Sequence, residues 1–231
     1  MKKLIYCLLF ALLLLPTFKV EAKYYSSAQI ERFVNKTPRD TEKNISSLVA
    51  FLEKPFDNDY DKAKAIAFWI ASHIYYDEYL YNNGGATRLR QKYNGQSAKD
   101  LLRTRVGICG DFAELFETMC KRAGIRVGTI SGYAYPANKY LSSSVKRNSG
   151  HAWNYFIYKG DKIYVDTTFM SKGSTGIKGS ASELGRRRAI NNIRKQNKKK
   201  SRVNGFDEFY FDFDYKDEEY KRRYKRKETY L

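Results

Sequence analysis

Three residues carry reactive chemistry in a suggestive order. Cys109 lies in Arg105-Val-Gly-Ile-Cys-Gly-Asp-Phe-Ala113, His151 opens His151-Ala-Trp-Asn154, and Asp166 sits in Tyr164-Val-Asp-Thr-Thr168. The 231-residue chain has only three cysteines and two histidines, so their placement is informative. A cysteine, a histidine and a carboxylate can serve as nucleophile, base and the group that orients the base. The thiolate is the attacking species, and a helix start lowers a thiol pKa because unpaired N–H groups and the helix dipole stabilise negative charge there. Gly107 and Gly110 let the backbone turn tightly and keep the sulfur accessible. Asp111 favours the first turn of a helix, yet a carboxylate near the sulfur would oppose its ionisation.

The surrounding pattern supplies the elements that must hold these groups. Phe112, Ala113, Phe116, Met119, Cys120 and Ala123 recur at helical spacing before Gly124, which predicts a helix from Cys109 to Ala123. Ser97 to Leu102 reads as a short helix leading to it. Cys109 and Cys120 stand eleven residues apart on one helix, roughly 16 Å. Bridged cysteines need Cα atoms within roughly 7 Å, so Cys120 is a core residue rather than a disulfide partner. Arg126 to Tyr135 reads as a strand, and His151 to Tyr158 and Lys162 to Asp166 as two more around Lys159-Gly-Asp161.

A two-residue turn at Gly160-Asp161 would set Asp166 opposite Tyr155, roughly 13 Å along the strand from His151. The triad therefore requires a bulge, a wider loop or another register. Asp166 can alternatively cap the turn at Thr167-Thr168. Trp153 shares a strand face with His151, where it can shelter the His–Asp contact or simply fill the core. His73 lies mid-helix beside Trp69 and reads as structural.

Residues 23–58 form an entry segment with one helix, Thr41 to Leu52, capped by Thr41 and ended before Pro55. Asp59 to Tyr76 is a stronger helix with a stripe of Ala63, Ile66, Ala67, Ile70 and Ile74. Asp77 to Gly95 and Pro136 to Gly150 read as loops. Ser182 to Lys200 is a basic helix, and 182–202 is an insertion in a domain spanning 59–214. Nine basic residues and no acidic one occur from Arg186 to Arg202. Phe209 to Phe213 is a further strand, and 215–231 a charged terminal helix or tail.

Residues 1–22 have a charged start, about a dozen apolar residues and the small-x-small site Val20-Glu-Ala22. That describes a cleaved signal peptide and falls short of the roughly 20 residues needed to span a bilayer. The expected location is secreted or periplasmic, with no transmembrane segment after processing. Loss of Lys2, Lys3, Lys19 and Glu21 takes the net charge from +18 to +16, a field that favours anionic surfaces or polymers. Two mature cysteines and two histidines in unrelated contexts make no zinc pattern, nothing suggests a calcium loop, and no cofactor is expected.

Gly107-Ile-Cys-Gly-Asp-Phe-Ala113, Gly150-His-Ala-Trp-Asn154 and Tyr164-Val-Asp-Thr-Thr168, with the helix Ala63 to Asp77 upstream, resemble the transglutaminase-like superfamily of papain-type folds. The resemblance covers about Tyr60 to Phe169. It implies an α+β fold in which the nucleophile helix packs on an antiparallel sheet. It makes Cys109 the nucleophile, His151 the general base and acid, and Asp166 the orienting acid, with Trp153 in a substrate-binding or supporting place. It implies attack on a protein or peptide amide, a thioester, then transfer to water or an amine: a cysteine peptidase or amidase, or a protein-glutamine acyltransferase. The second oxyanion donor stays open among Gln91, Asn94, Gln96 and a loop tyrosine. Phe169 replaces a common Trp. The competing expectation is a non-catalytic module whose basic segments, 186–202 and 221–227, hold an anionic polymer or acidic protein. Export makes a nucleic-acid partner a poor fit.

Overall fold

The computed structural model describes residues 24–80, 96–134, 150–173, 175, 183–199, 204–214, 216–217, 221 and 224–226. The signal-peptide reading and most of the loop readings at Asp77 to Gly95 and Pro136 to Gly150 fall outside these residues. The described helices are α1 Ser27–Val34, α2 Ile45–Glu53, α3 Asp59–His73, α4 Ala98–Thr104, α5 Cys109–Arg122, α6 Thr167–Met170 and α7 Glu183–Lys199. The strands are β1 Tyr75–Tyr76, β2 Val106–Gly107, β3 Val127–Ala134, β4 Gly150–Tyr158, β5 Asp161–Val165, β6 Phe211–Phe213 and β7 Tyr224–Arg226. None of the described helices is long and apolar enough to cross a membrane.

Side-chain caps fix the helix starts, because each satisfies a backbone N–H that the first turn leaves unpaired. Ser26 and Gln29 form a reciprocal capping box on α1, a helix the sequence pattern did not reveal. Asn44 accepts from Ser47 N at 2.9 Å and starts α2. The expected start at Thr41 is thereby corrected, since Thr41–Lys43 is a separate 3-10 turn. Asn58 caps α3, and Ser97 caps α4. The predicted stripe of α3 is buried, but so are Phe68, Trp69 and Ser72, so this helix is enclosed on nearly all sides.

The main sheet is antiparallel, in the order β6-β5-β4-β3-β7. Helix α5 packs across β4 and β3, placing Phe112, Phe116 and Met119 in the same core as Trp153 and Phe156. Asn154 stitches this layer to the sheet by donating to Ala113 O at 3.2 Å and Thr129 Oγ1 at 2.9 Å. The α+β architecture, with a nucleophile-bearing helix on an antiparallel sheet, is therefore the one expected.

A second, two-stranded parallel ladder pairs Tyr75 with Val106 and Tyr76 with Gly107. It is continued by Asp77 N donating to Gly107 O at 2.9 Å. Helix α7 docks here. Ile193 and Ile190 pack with Tyr75 and Val106, and Arg186 Nε and Nη2 reach Asp77 Oδ2 at 2.8 and 2.7 Å. At the other extreme of the chain, the helix-or-tail reading of 215–231 is corrected at Tyr224–Arg226. These residues pair with Gly132–Ala134, because the open edge of β3 offers unpaired backbone groups.

Candidate active site

Cys109 is the first residue of α5 and is nearly buried. What shapes the approach to it is close packing. A Cβ on Gly107 would lie 2.7 Å from both Asp111 Oδ2 and Leu101 Cδ1, so only glycine fits. Asp111 Oδ2 accepts from Ile108 N at 2.8 Å, and its Oδ1 accepts from Gln96 N at 2.9 Å. The Asp111 carboxylate is turned to these two backbone donors. The N–H groups of Cys109 and Gly110 have no backbone partner among the described residues.

Register resolves the distance between His151 and Asp166. Strands β4 and β5 pair Asn154 with Val165 and Tyr155 with Tyr164. The turn residues are Lys159 and Gly160, with φ of 50° and 96°, the signs of a type I′ hairpin. This register puts Asp166 across from Trp153, two residues from His151, about half the separation of the alternative turn. At that point the chain leaves β5 and Asp166 becomes the N-cap of α6. Both sequence readings of Asp166 therefore apply at once. Its Oδ1 accepts from the N–H groups of Thr168 and Phe169 at 3.1 and 3.0 Å. Its Oδ2 accepts from His151 Nε2 at 2.7 Å.

His151 and the Ala152 N–H lie close enough to the Cys109 sulfur for both to lower its thiol. With Nε2 committed to Asp166, Nδ1 is the ring nitrogen left for the sulfur. Burial alone would keep His151 neutral. The Asp166 carboxylate and the sulfur outweigh it, and the imidazole is raised to about 10. Burial likewise raises the Cys109 thiol, but the His151 hydrogen bond and charge, with Ala152 N–H, bring it below its ordinary value. The arrangement favours a thiolate–imidazolium pair. Cys120, wholly buried on the same helix, is pushed well up by desolvation. Both cysteines are free.

Trp153 is 1% exposed. Its ring lies 6.0 Å from that of His151 and 5.1 Å from that of Tyr224. It shelters the pair from below and offers no surface to a substrate. Two neighbours escaped the sequence reading. Phe169 stacks on His151 at 4.3 Å and 13°; its departure from the common Trp marked the position without revealing the stack. Tyr224 Oη donates to Asp166 Oδ2 at 2.9 Å. It lies in a charged run with no periodicity, so no sequence signal pointed to it.

Gln96 Nε2 donates to Val106 O at 2.7 Å, and its Oε1 accepts from Thr104. It braces the segment before Cys109 instead of facing a substrate. Gln91 and Asn94 lie outside the described residues. Clefts of about 530 and 340 Å³ open beside the β4–β5 hairpin and beside α7, and neither is lined by Cys109, His151 or Asp166. Among the described residues no cluster of three or more His, Cys, Asp or Glu could hold a metal ion.

Comparison with known proteins shows the family. A family profile described as the transglutaminase-like superfamily matches residues 47–167. The kyphoscoliosis peptidases of Mus musculus and Homo sapiens are each 32% identical over 129 residues, 55% of this chain. The chain spans only 18% of the length of these relatives. Among solved structures, the periplasmic domain of TgpA from Pseudomonas aeruginosa bound to ethylmercury aligns at 20% identity and a TM-score of 0.41. That alignment covers 62% of this chain and 49% of the other. With more than half of its length matched by the family profile, Cys109 and His151 included, the chain belongs to the transglutaminase-like superfamily.

Proposed function

We propose that this protein is an exported thiol enzyme that cleaves protein or peptide amides through a Cys109 thioester, with water as the ordinary acceptor. The observation that carries the reading is the placing of His151, held through Nε2 by a wholly buried Asp166 at 2.7 Å and near enough to Cys109 to lower its thiol. The name of the mammalian relatives, peptidase, supports the choice of water. The apolar N-terminus supports export.

The Cys109 thiolate attacks the amide carbonyl carbon, and the charge that develops on oxygen is met by the Cys109 N–H at the start of α5. Collapse of the tetrahedral intermediate breaks the C–N bond. The His151 imidazolium gives its Nδ1 proton to the leaving amine, which departs neutral. A water molecule then loses a proton to His151 as it attacks the thioester. The second collapse releases the carboxylic acid and restores the thiolate–imidazolium pair. Asp166 holds the ring in one orientation and stabilises its cation without taking its proton.

The test offers glutamine-containing peptides with and without a primary amine to the wild type and to Cys109→Ala. Release of amine or ammonia, lost on the order of 10⁴-fold or more in the variant, is expected. Amine incorporation at a rate above hydrolysis would reassign the acceptor. Absence of any Cys109-dependent turnover, with undiminished binding of an anionic polymer by the variant, would replace the reading with that of a binding module.

A further inference from the structure

We infer that Tyr224, delivered by the last strand of the sheet, is a positioning residue that sets the basicity of the His151–Asp166 pair; the inference rests on the thiol-enzyme reading above. Asp166 is wholly buried, and its two oxygens receive four donors: two backbone N–H groups on Oδ1, and His151 Nε2 and Tyr224 Oη together on Oδ2. The phenol and the imidazole thus compete for one oxygen. A hydrogen bond donated to a carboxylate withdraws charge from it and stabilises its ionised form. Tyr224 therefore weakens the hold of Oδ2 on the imidazolium proton and keeps His151 a usable acid toward a leaving amine.

The ring of Tyr224 has a separate structural job. It is buried, stacks on Phe213 at 5.0 Å and 18°, and lies 5.1 Å from Trp153 and 6.1 Å from Phe169. Hydroxyl and ring can be removed independently. Tyr224→Phe keeps the packing and deletes only the donor, whereas Tyr224→Leu deletes both.

The readout is the pH dependence of iodoacetamide alkylation at Cys109, which needs no substrate. In the wild type an acid-side transition reports formation of the ion pair, and an alkaline transition reports loss of the imidazolium proton. In Tyr224→Phe, Oδ2 keeps only its His151 donor and holds that proton harder, so the alkaline transition moves up by about half to one pH unit. Peptide turnover falls about three- to tenfold, because a more basic imidazole is a weaker acid. An alkylation profile superimposable on the wild type overturns the inference. So does equal loss in Tyr224→Phe and Tyr224→Leu with an unmoved alkaline transition, which would leave only ring packing. If wild-type Cys109 shows the single transition of an ordinary thiol, there is no ion pair, and both this inference and the thiol-enzyme reading fall together.

Discussion

His73 and His151 are both buried and both stack on an aromatic ring, yet their environments drive them in opposite directions. His73 lies 4.7 Å from the Trp69 ring at 7°, and His151 lies 4.3 Å from Phe169 at 13°. Burial lowers both. For His73, whose Nδ1–H donates to Trp69 O at 2.9 Å, nothing reverses it, and the ring is lowered to about 3. Glu42 Oε1 is 3.7 Å from His73 Nε2. That carboxylate is already paired with Arg105 at 3.0 Å, and the Arg105 charge further disfavours a second cation. His151 meets a carboxylate that no Lys or Arg pairs with among the described residues, and an ionisable sulfur beside it. The cysteines repeat the lesson on one helix, with Cys109 lowered by its partners and Cys120 raised chiefly by burial, the Asp59 and Glu117 charges adding to it. Burial makes a titrating side chain inert unless an unneutralised opposite charge is buried with it.

The strongest way to break this contrast is to remove that charge. Asp166→Asn should lower kcat/KM by about 10³- to 10⁴-fold, since the imidazole loses both its orienter and the stabiliser of its cation. The wild-type pH profile should be bell-shaped, rising as the thiolate forms and falling as His151 deprotonates near 10. In the variant the alkaline limb should move down; an unmoved limb would mean that Asp166 does not govern His151.

Alkylation sharpens the cysteine half of the comparison. At neutral pH iodoacetamide should modify Cys109 at least about 100-fold faster than Cys120, because the Cys109 thiol is lowered and near the surface while that of Cys120 is raised and wholly buried. Peptide mapping after timed quenching measures the ratio, and equal rates would erase the distinction.

His73 has the opposite pH signature. Its unfolded ring titrates near 6.5 and its folded ring near 3. The unfolded state therefore binds the proton first as pH falls. Stability is full above about 6.5 and declines from there toward 3, with a loss of about 2 kcal/mol between pH 7 and 5 from this ring. Urea unfolding of the wild type and His73→Phe at the two pH values checks this: the variant keeps the stack on Trp69 and should lack that part of the slope.

An effect of similar size should come from Gly107→Ala. The added methyl would press on Asp111 and Leu101, costing about 1–3 kcal/mol of stability. It should also slow Cys109 alkylation by disturbing the cap that aims the start of α5. Unchanged alkylation would show that the Gly107–Asp111 contact does not position the sulfur.

Much of this was legible in the chain. Helix α5 and its cysteine were readable because Phe112, Phe116 and Met119 repeat at helical spacing after a glycine-flanked start. Strands β4 and β5 were readable from a turn signal between alternating segments. The turn itself was placed one residue late, since Lys159 carries positive φ where Gly160-Asp161 had been the natural pair. That slip alone produced the apparent 13 Å gap. Helix α1 escaped because its stripe, Ile30, Phe33 and Val34, spans barely two turns of an eight-residue helix. Strand β7 escaped because its pairing depends on a β3 edge more than eighty residues away in sequence, and the local run around Tyr224 is simply charged.

The sequence by itself determined which side chains were available for the proposed thiol chemistry, their order, and the helix that carries Cys109 at its start. These follow from local periodicity and from the scarcity of Cys and His. Only the tertiary structure decided which carboxylate stands free to charge a histidine, which is spent on backbone N–H groups like Asp111, and which is neutralised like Glu42. Those outcomes depend on what is buried beside each group and on strand register, and neither is written within a few residues of the group it controls.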